Sequence, residues 1–324
     1  MTYYPVIVPT LCRFEKFKVL VESLLSCNEA SKTELIIGLD YPPSEKYLDG
    51  WKQLKEFIPT IQGFLNVICL EREENFGSAR NSVELKNYAL AKYDAYIYTE
   101  DDNIFSPFFL KFMNDGLNKY KNDSSVFAIC GYSYPINWGT SAQCVLQHQY
   151  FSAWGYGAWK TKEETFEHDI NDDYFSNKIS LRQNIKYLKK SPSNFIGLMG
   201  YAFYKTIPSY DISRSFYAYM NKLDVLMPVK TLVTNDGWDG SGEHCNMKSS
   251  IDFSNPNRND EIPVDITSVE KLFSQELEYA ILSLKPKTAL VKAKIKLFLI
   301  QVFGINKLMF IRAFFKKEFK NENL

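Results

Sequence analysis

At 324 residues the chain is long enough to bury a full core, as one large domain or one domain with an appendage. Apolar residues make up 45% and aromatics 15%, which excludes a disordered chain. The 38 basic and 38 acidic residues cancel, so the chain as a whole gives no reason to expect nucleic acid as a partner.

In chain order, the first half alternates between short apolar runs and helical patterns. Tyr4 to Val8 reads as a strand, followed by a polar turn and a helical pattern from Phe14 to Leu25. Glu34 to Leu39 (ELIIGL) is a second buried strand ending on Asp40, with a Pro-Pro turn and a helical stretch around Trp51 to Phe57 after it. Phe64 to Leu70 is a third strand, with a helix from about Ser78 to Lys92. Asp94 to Tyr98 is a fourth, with a helix from Pro107 to Tyr120, and Val126 to Cys130 is a fifth. Continuous apolar runs separated by helices imply a parallel sheet covered on both faces, hence a doubly wound α/β fold on the N-terminal side.

Residues 132–194 are rich in Tyr, Trp, Asn and Gly and show little periodicity. Ile196 to Tyr204 reads as a strand, Asp211 to Leu223 as a helix, and Val225 to Val233 as another strand before the loop TNDGWDGSGEHC. Residues 251–267 read as a linker, and helical segments are expected from Ser268 onward. The predicted domains are therefore 1–250, split near residue 131 into two halves, a linker over 251–267 and a basic helical tail over 268–324.

That tail is electrostatically separate. From Lys285 to Lys320 there are nine Lys and one Arg against one acid, Glu318. Lys mixed with Leu, Ile and Phe suits an in-plane helix on anionic lipid, or equally a helix packed on protein. Its longest charge-free apolar stretch, Leu297 to Asn306, is far short of the roughly 20 residues a spanning helix needs. The start, MTYYPVIVPT, has no signal-peptide pattern, and the six cysteines lack paired spacing. Buried free thiols in a reducing compartment, as in Val67-Ile68-Cys69-Leu70, are the simplest account. The expected location is cytoplasmic, with peripheral membrane contact through the tail. The 21 Tyr and 24 Phe suit stacking on sugars or bases, or extra aromatic core.

In a doubly wound sheet the ligand crevice lies outside the carboxyl ends of the strands. No G-x-G-x-x-G or P-loop string follows any of the strands, which argues against a dinucleotide-binding dehydrogenase or a P-loop NTPase. Glu100-Asp101-Asp102 follows the fourth strand instead. Three adjacent acids repel unless a proton or a cation compensates them. A hard divalent cation, Mg²⁺ or Mn²⁺, held by one or two carboxylates plus substrate phosphates, is one solution. The other is a helix start capped by Asp102 or Ser106. Placement after the fourth strand favours the cation.

YIYTEDDN resembles the "DXD" element of GT-A-fold glycosyltransferases, especially bacterial inverting sugar transferases related to family 2 and to the N-acetylglucosaminyltransferase I type. PTLCRF, NFGSARNSVELKNYAL and YFSAWGYGAWK resemble further segments of that family, and the likeness covers most of residues 4–245. It implies a GT-A-type, Rossmann-like, mixed, mainly parallel sheet flanked by helices, with a nucleotide-binding half over about 1–131 and an acceptor half over about 132–250. It also implies a nucleoside-diphosphate-sugar donor, a divalent metal, and a glycan or lipid-linked glycan acceptor.

By position, the resemblance assigns Thr10 and Arg13 to the nucleotide, Asp40 to the base, and Arg80 and Asn81 to the nucleotide. Asp102 becomes the direct metal ligand, Asp101 a ribose contact and Glu100 a support. Arg80 also suits a salt bridge on a helix's first turn, and Asn81 a cap. An inverting enzyme needs one general base and no covalent intermediate. Asp211 takes that role, or is a plain N-cap, with Asp239 a weaker candidate. His244, in a loop with Gly237, Gly240 and Gly242, is a metal or pyrophosphate contact, or an exposed ring. The glycines fit a mobile lid or a tight turn. A sugar nucleotidyltransferase is a rival reading, although PTLCRFEKF lacks the glycines its first loop would need. A non-catalytic carbohydrate- or membrane-binding protein is another.

Overall fold

A computed structural model describes residues 1–136, 138, 139, 141, 143, 145–169, 210–237 and 257–271, with positions 291 and 295. The chain divides into two compact units, residues 1–164 with 222–272, and residues 165–221 with 273–324.

The first unit is built on a mixed, mainly parallel sheet flanked by helices. Its nucleus is β1 (Val6–Thr10), β2 (Glu34–Leu39) and β3 (Asn66–Glu71), all parallel. β4 (Ala95–Tyr98) lies parallel on the other side of β1. The spatial order β3-β2-β1-β4 places a topological switch point between β1 and β4. Period-2 alternation sends Val6, Val8, Leu35, Ile37, Leu39 and Ile97 into one core. That core is shared with α1 (Phe14–Leu25), α2 (Leu48–Phe57) and α4 (Phe109–Lys119), whose stripes include Phe17, Leu20, Leu54, Phe112 and Leu117. Gly38 turns to the opposite face, where α3 (Gly77–Leu90) packs so closely that a Cβ would sit 2.5 Å from Asn81 Oδ1 and 2.8 Å from Leu85 Cδ1.

Past β4 the sheet becomes mixed, as the resemblance implies. β8 (Tyr156–Trp159) inserts antiparallel between β4 and β6 (Val126–Cys130). Its sequence, YGAW, reads as an aperiodic loop. It is a strand because Gly157 lets α4 lie against it, with Leu117 about where a side chain would stand, and because Trp159 Nε1 donates to Leu117 O at 2.9 Å. The sheet then continues through β9 (Asp224–Pro228), β7 (Val145–His148) and β11 (Val269–Lys271). The single strand expected over 225–233 is two. β9 joins the large sheet, and β10 (Val233–Asn235) pairs antiparallel with β5 (Asn103–Phe105) in a separate ribbon.

The linker and tail boundaries also change. Residues 257–267 are an integral part of the first unit: Ser106 Oγ donates to Asn259 O at 2.5 Å, and Val264 and Ile266 join the core. Residues 269–271, expected to be helical, form β11, parallel to β7. The basic segment 285–320 lies outside the described residues apart from Val291 and Ile295, both exposed. Among the described residues no helix is long and apolar enough to cross a membrane. Cys27 and Cys130 are buried as expected, and Cys12 is half-buried. Cys69 is exposed, because β3 is the edge strand of the sheet and its side chains are only partly covered.

In the second unit the described residues are chiefly 165–169 and α6 (Tyr210–Asn221). There Arg214 is fully buried, its guanidinium 4.4 Å from the Phe166 ring and 4.1 Å from the Tyr210 ring. Tyr217 donates to Asp169 at 2.8 Å.

Two stability predictions follow from this packing. Gly38→Ala should lower the urea midpoint, at a cost of about 1–3 kcal/mol for overpacking against α3, with the slope of the transition unchanged. His148 is buried, accepts the Tyr150 N–H on Nδ1 at 2.8 Å, and is pushed by burial down to about 3. Unfolding therefore takes up a proton between that value and the ordinary imidazole range near 6.5. Stability from this group should be complete above about pH 6.5 and fall on acidification by up to about 1.4 kcal/mol per unit. Urea midpoints of wild type and His148→Gln at several pH values test this, the variant showing the flatter profile.

Candidate active site

The loops after β1 and β4 meet at the switch point, and the acids stand there. They are not a helix cap. α4 begins at Phe109, and the turn Thr99–Asp102 leads into β5 before that helix starts. Asp101 and Asp102 are each only 5% exposed. Two adjacent ionised carboxylates cannot be buried without donors and positive charge.

The donors come from three places in the chain. Thr10, the last residue of β1, donates its hydroxyl to Asp101 Oδ2 at 2.8 Å. Arg13, just before α1, spans both acids, with Nη1 2.7 Å from Asp102 Oδ2 and Nη2 paired with Asp101 Oδ1. Asn235, which β5–β10 register places opposite Asn103, donates Nδ2 to Asp102 Oδ1 at 2.8 Å and to Asn103 Oδ1 at 3.1 Å. Burial pushes the Asp101 carboxyl up, opposed by the Arg13 charge and reinforced by Asp102. Burial works against the Arg13 charge too, but the two carboxylates outweigh it and raise the guanidinium further.

The start of the 234–245 loop is fastened to this cluster. Asp236 N donates to Asp102 O at 2.8 Å, and its carboxylate pairs with Lys16, one turn beyond Arg13, at 2.5 Å. Gly237 N donates to Asn235 Oδ1 at 3.1 Å, and a Cβ at Gly237 would lie 2.2 Å from Asp102 Oδ2. Gly237 is thus a close-approach glycine. Asn235, Asp236 and Lys16 were missed by sequence reading. The only cue for Asn235 was its position in a loop already suspected of folding over the site.

The other expected contacts are engaged elsewhere. Asp40 is buried, and its carboxylate accepts the backbone N–H groups of Tyr41, Phe76 and Gly77 at 2.8–2.9 Å, and Asn75 Nδ2 at 3.2 Å. It anchors the entry to α3, where Gly77 takes φ +72°. Asn81 is buried against β2, donating to Gly38 O at 2.8 Å and accepting from Arg72 Nε at 3.0 Å, so it is neither a cap nor open to a ligand. Arg80 is exposed, forming the first-turn salt bridge with Glu74 at 2.8 Å and lying over the Phe76 ring at 3.5 Å. Glu100 is half-buried, and its carbonyl accepts the Thr99 hydroxyl at 2.9 Å. Asp211 lies in the first turn of α6, in the second unit. His244, Asp239, Gly240 and Gly242 lie outside the described residues.

A hard divalent cation fits the donor set in kind: two buried carboxylates offering only oxygen, already converging on one positive group. In number the set is incomplete. No group of three or more His, Cys, Asp or Glu side chains able to hold a metal occurs among the described residues.

No protein-family model and no curated protein matches this sequence. Among solved structures, the chain is similar to S. aureus TarS, at 16% identity over 40% of this chain and 21% of that one, with a TM-score of 0.29. It thus spans about a fifth of TarS. It is similar to the mannosyltransferase PcManGT from Pyrobaculum calidifontis in complex with GDP-Man and Mn²⁺, at 14% identity over 67% and 68% of the two chains, with a TM-score of 0.37. It is also similar to S. aureus TarS 1-349, at 14% identity over 72% and 60%, with a TM-score of 0.40.

Replacing Asn235 by Ala should strip partners from Asp102 Oδ1 and the Gly237 N–H together. The expected cost is about 1–3 kcal/mol in urea denaturation, larger than for Arg80→Ala, whose exposed pair contributes at most about 1 kcal/mol.

Proposed function

We propose that this chain is a glycosyltransferase that moves a sugar from a nucleoside-diphosphate sugar to a hydroxyl of a glycan or lipid-linked glycan acceptor, with inversion, in bacterial surface polysaccharide synthesis. One observation carries the reading. Two buried carboxylates, Asp101 and Asp102, stand at the carboxyl-end crevice of a parallel sheet, at its switch point, beside the N-terminus of α1 and a bidentate Arg. The first half of the chain, to about residue 131, is then the nucleotide-binding part of a GT-A-type domain.

In this reading Asp102 holds a divalent cation, Mn²⁺ or Mg²⁺, which when bound supplies charge neutralisation for the departing nucleoside diphosphate. Thr10 and Asn235 fix the two carboxylates in place, and Asp101 is positioned for the ribose. Arg13 supplies a fork that matches a phosphate as well as it matches a carboxylate. Asp40 acts at one remove, holding the loop before α3 rather than reading the base. Asp211 is the proposed general base, receiving the proton of the acceptor hydroxyl as that oxygen attacks the anomeric carbon. The basic tail would bring the site to a lipid-linked acceptor at the inner face of the membrane.

Binding of UDP-, GDP- and dTDP-sugars, followed by thermal shift with and without Mn²⁺, tests the donor class. Donor turnover should fall about 100-fold or more in Asp102→Asn, since several kcal/mol of charge stabilisation are at stake and each 1.36 kcal/mol is tenfold. Undiminished turnover in that variant would remove the metal role. Pyrophosphate release from a nucleoside triphosphate would point to a nucleotidyltransferase instead.

A further inference from the structure

We propose that Arg13 is an exchangeable cation: it neutralises Asp101 and Asp102 in the ligand-free chain and transfers to the donor's diphosphate, so that the divalent metal is taken up with the nucleotide and not before it. The inference rests on the metal–diphosphate reading of this site.

The geometry behind it is specific. Arg13 contacts Asp102 Oδ2 and Asp101 Oδ1, while Asp102 Oδ1 and Asp101 Oδ2 are held by Asn235 and Thr10. Every carboxylate oxygen in the pair is thus engaged. A cation binding between the acids would have to displace one of these three side chains; Thr10 and Asn235 are themselves buried, at 4% and 2% exposure, while Arg13 is partly exposed. Guanidinium and metal cannot share that position, since both would claim the same oxygens and repel.

The charges point the same way. One guanidinium against two carboxylates leaves a residual negative charge, which favours exchange for a doubly charged ion once Arg13 has another anion to bind. A diphosphate is that anion, and it presents the paired oxygens a guanidinium fork prefers. The protein alone offers too few ligands for a complete metal cage among the described residues. The diphosphate would supply both the missing metal oxygens and the new partner for Arg13. Lys16, one turn further along α1, is paired with Asp236 and not with either acid of the cluster.

The test is Mn²⁺ binding to the full chain, read from the free-ion electron paramagnetic resonance signal, alone and with saturating UDP, GDP or dTDP. Wild type should bind Mn²⁺ at least tenfold more tightly with nucleotide than without. Arg13→Gln should bind nucleotide-free Mn²⁺ at least tenfold more tightly than wild type and show a smaller nucleotide effect. Arg13→Lys should fall between, since an ammonium cannot span both acids. Arg13→Gln should also melt lower than wild type without metal and recover more on adding Mn²⁺, a readout that holds even if the variant is only marginally folded. If Arg13→Gln leaves nucleotide-free Mn²⁺ affinity unchanged or weaker, while nucleotide-bound wild type takes up the ion, the exchange is wrong and the metal reading survives. Absence of Mn²⁺ uptake in every arm, nucleotide included, would overturn both.

Discussion

Two carboxylates side by side, both withdrawn from water, set the constraint around which this fold is arranged. Leaving either without donors would cost several kcal/mol, and their mutual repulsion adds to that. The remedy draws on two distant stretches of chain, the β1–α1 connection and the β5–β10 ribbon. The end of β1 brings Thr10, the entry to α1 brings Arg13, and the β5–β10 ribbon brings Asn235. Each of these elements is placed by apolar packing, so the polar cluster inherits its precision from the core beneath it. Ser106 and Asn259 extend the same dependence, tying the segment after β5 to residues that would otherwise read as a linker.

Asp40 shows a different solution to the same problem only one strand away. Its carboxylate is also buried, but its main partners are backbone N–H groups at the entry to α3, where the helix dipole adds to the attraction. Fixed backbone donors cannot leave without unwinding the helix start, so Asp40 is a fastening. Asp101 and Asp102 are held mostly by side chains, and the strongest of these ends on a partly exposed arginine. A carboxylate satisfied by a side chain can change partners. That distinction separates an acid fastened by backbone, Asp40, from two acids held mainly by side chains.

Much of this was legible in the sequence, for definite reasons. β1, β2, β4 and β6 are continuous apolar runs, and α1 has a clean stripe, so the nucleus of the sheet and the location of the acids after β4 could be read directly. The loop that carries Thr10 and Arg13 followed from the rule that ligands meet the loops after parallel strands, and the two residues themselves from the resemblance of PTLCRF. What escaped was fixed by tertiary contact. β8 depends on Gly157 lying under α4, and glycine in an aromatic stretch reads as loop. β5 and β10 are three residues each and exist only as a pair. Asn235 reaches Asp102 through the register of that pair, which no local pattern encodes. Asn81 and Arg80 occupy successive positions on α3, yet one faces β2 and the other solvent, a split that the helical period explains only once the packed face is known. Cys69 was read from its apolar neighbours, but edge position decides its exposure.

The choice of arginine at position 13 is itself informative. A lysine could neutralise one carboxylate, but its point charge cannot reach across two with fixed geometry. A guanidinium does so with two donors and keeps its charge even when partly buried. It also hydrates weakly, so moving from one pair of oxygens to another sacrifices less solvation than an ammonium would. The same planar fork that locks Asp101 to Asp102 suits a pair of phosphate oxygens. A residue selected only to stabilise a buried acid pair would have no reason to remain at the solvent boundary, and replacing such a pair by apolar residues is often neutral or stabilising. Arg13 stands at that boundary, with its side chain 23% exposed while both acids are almost wholly covered.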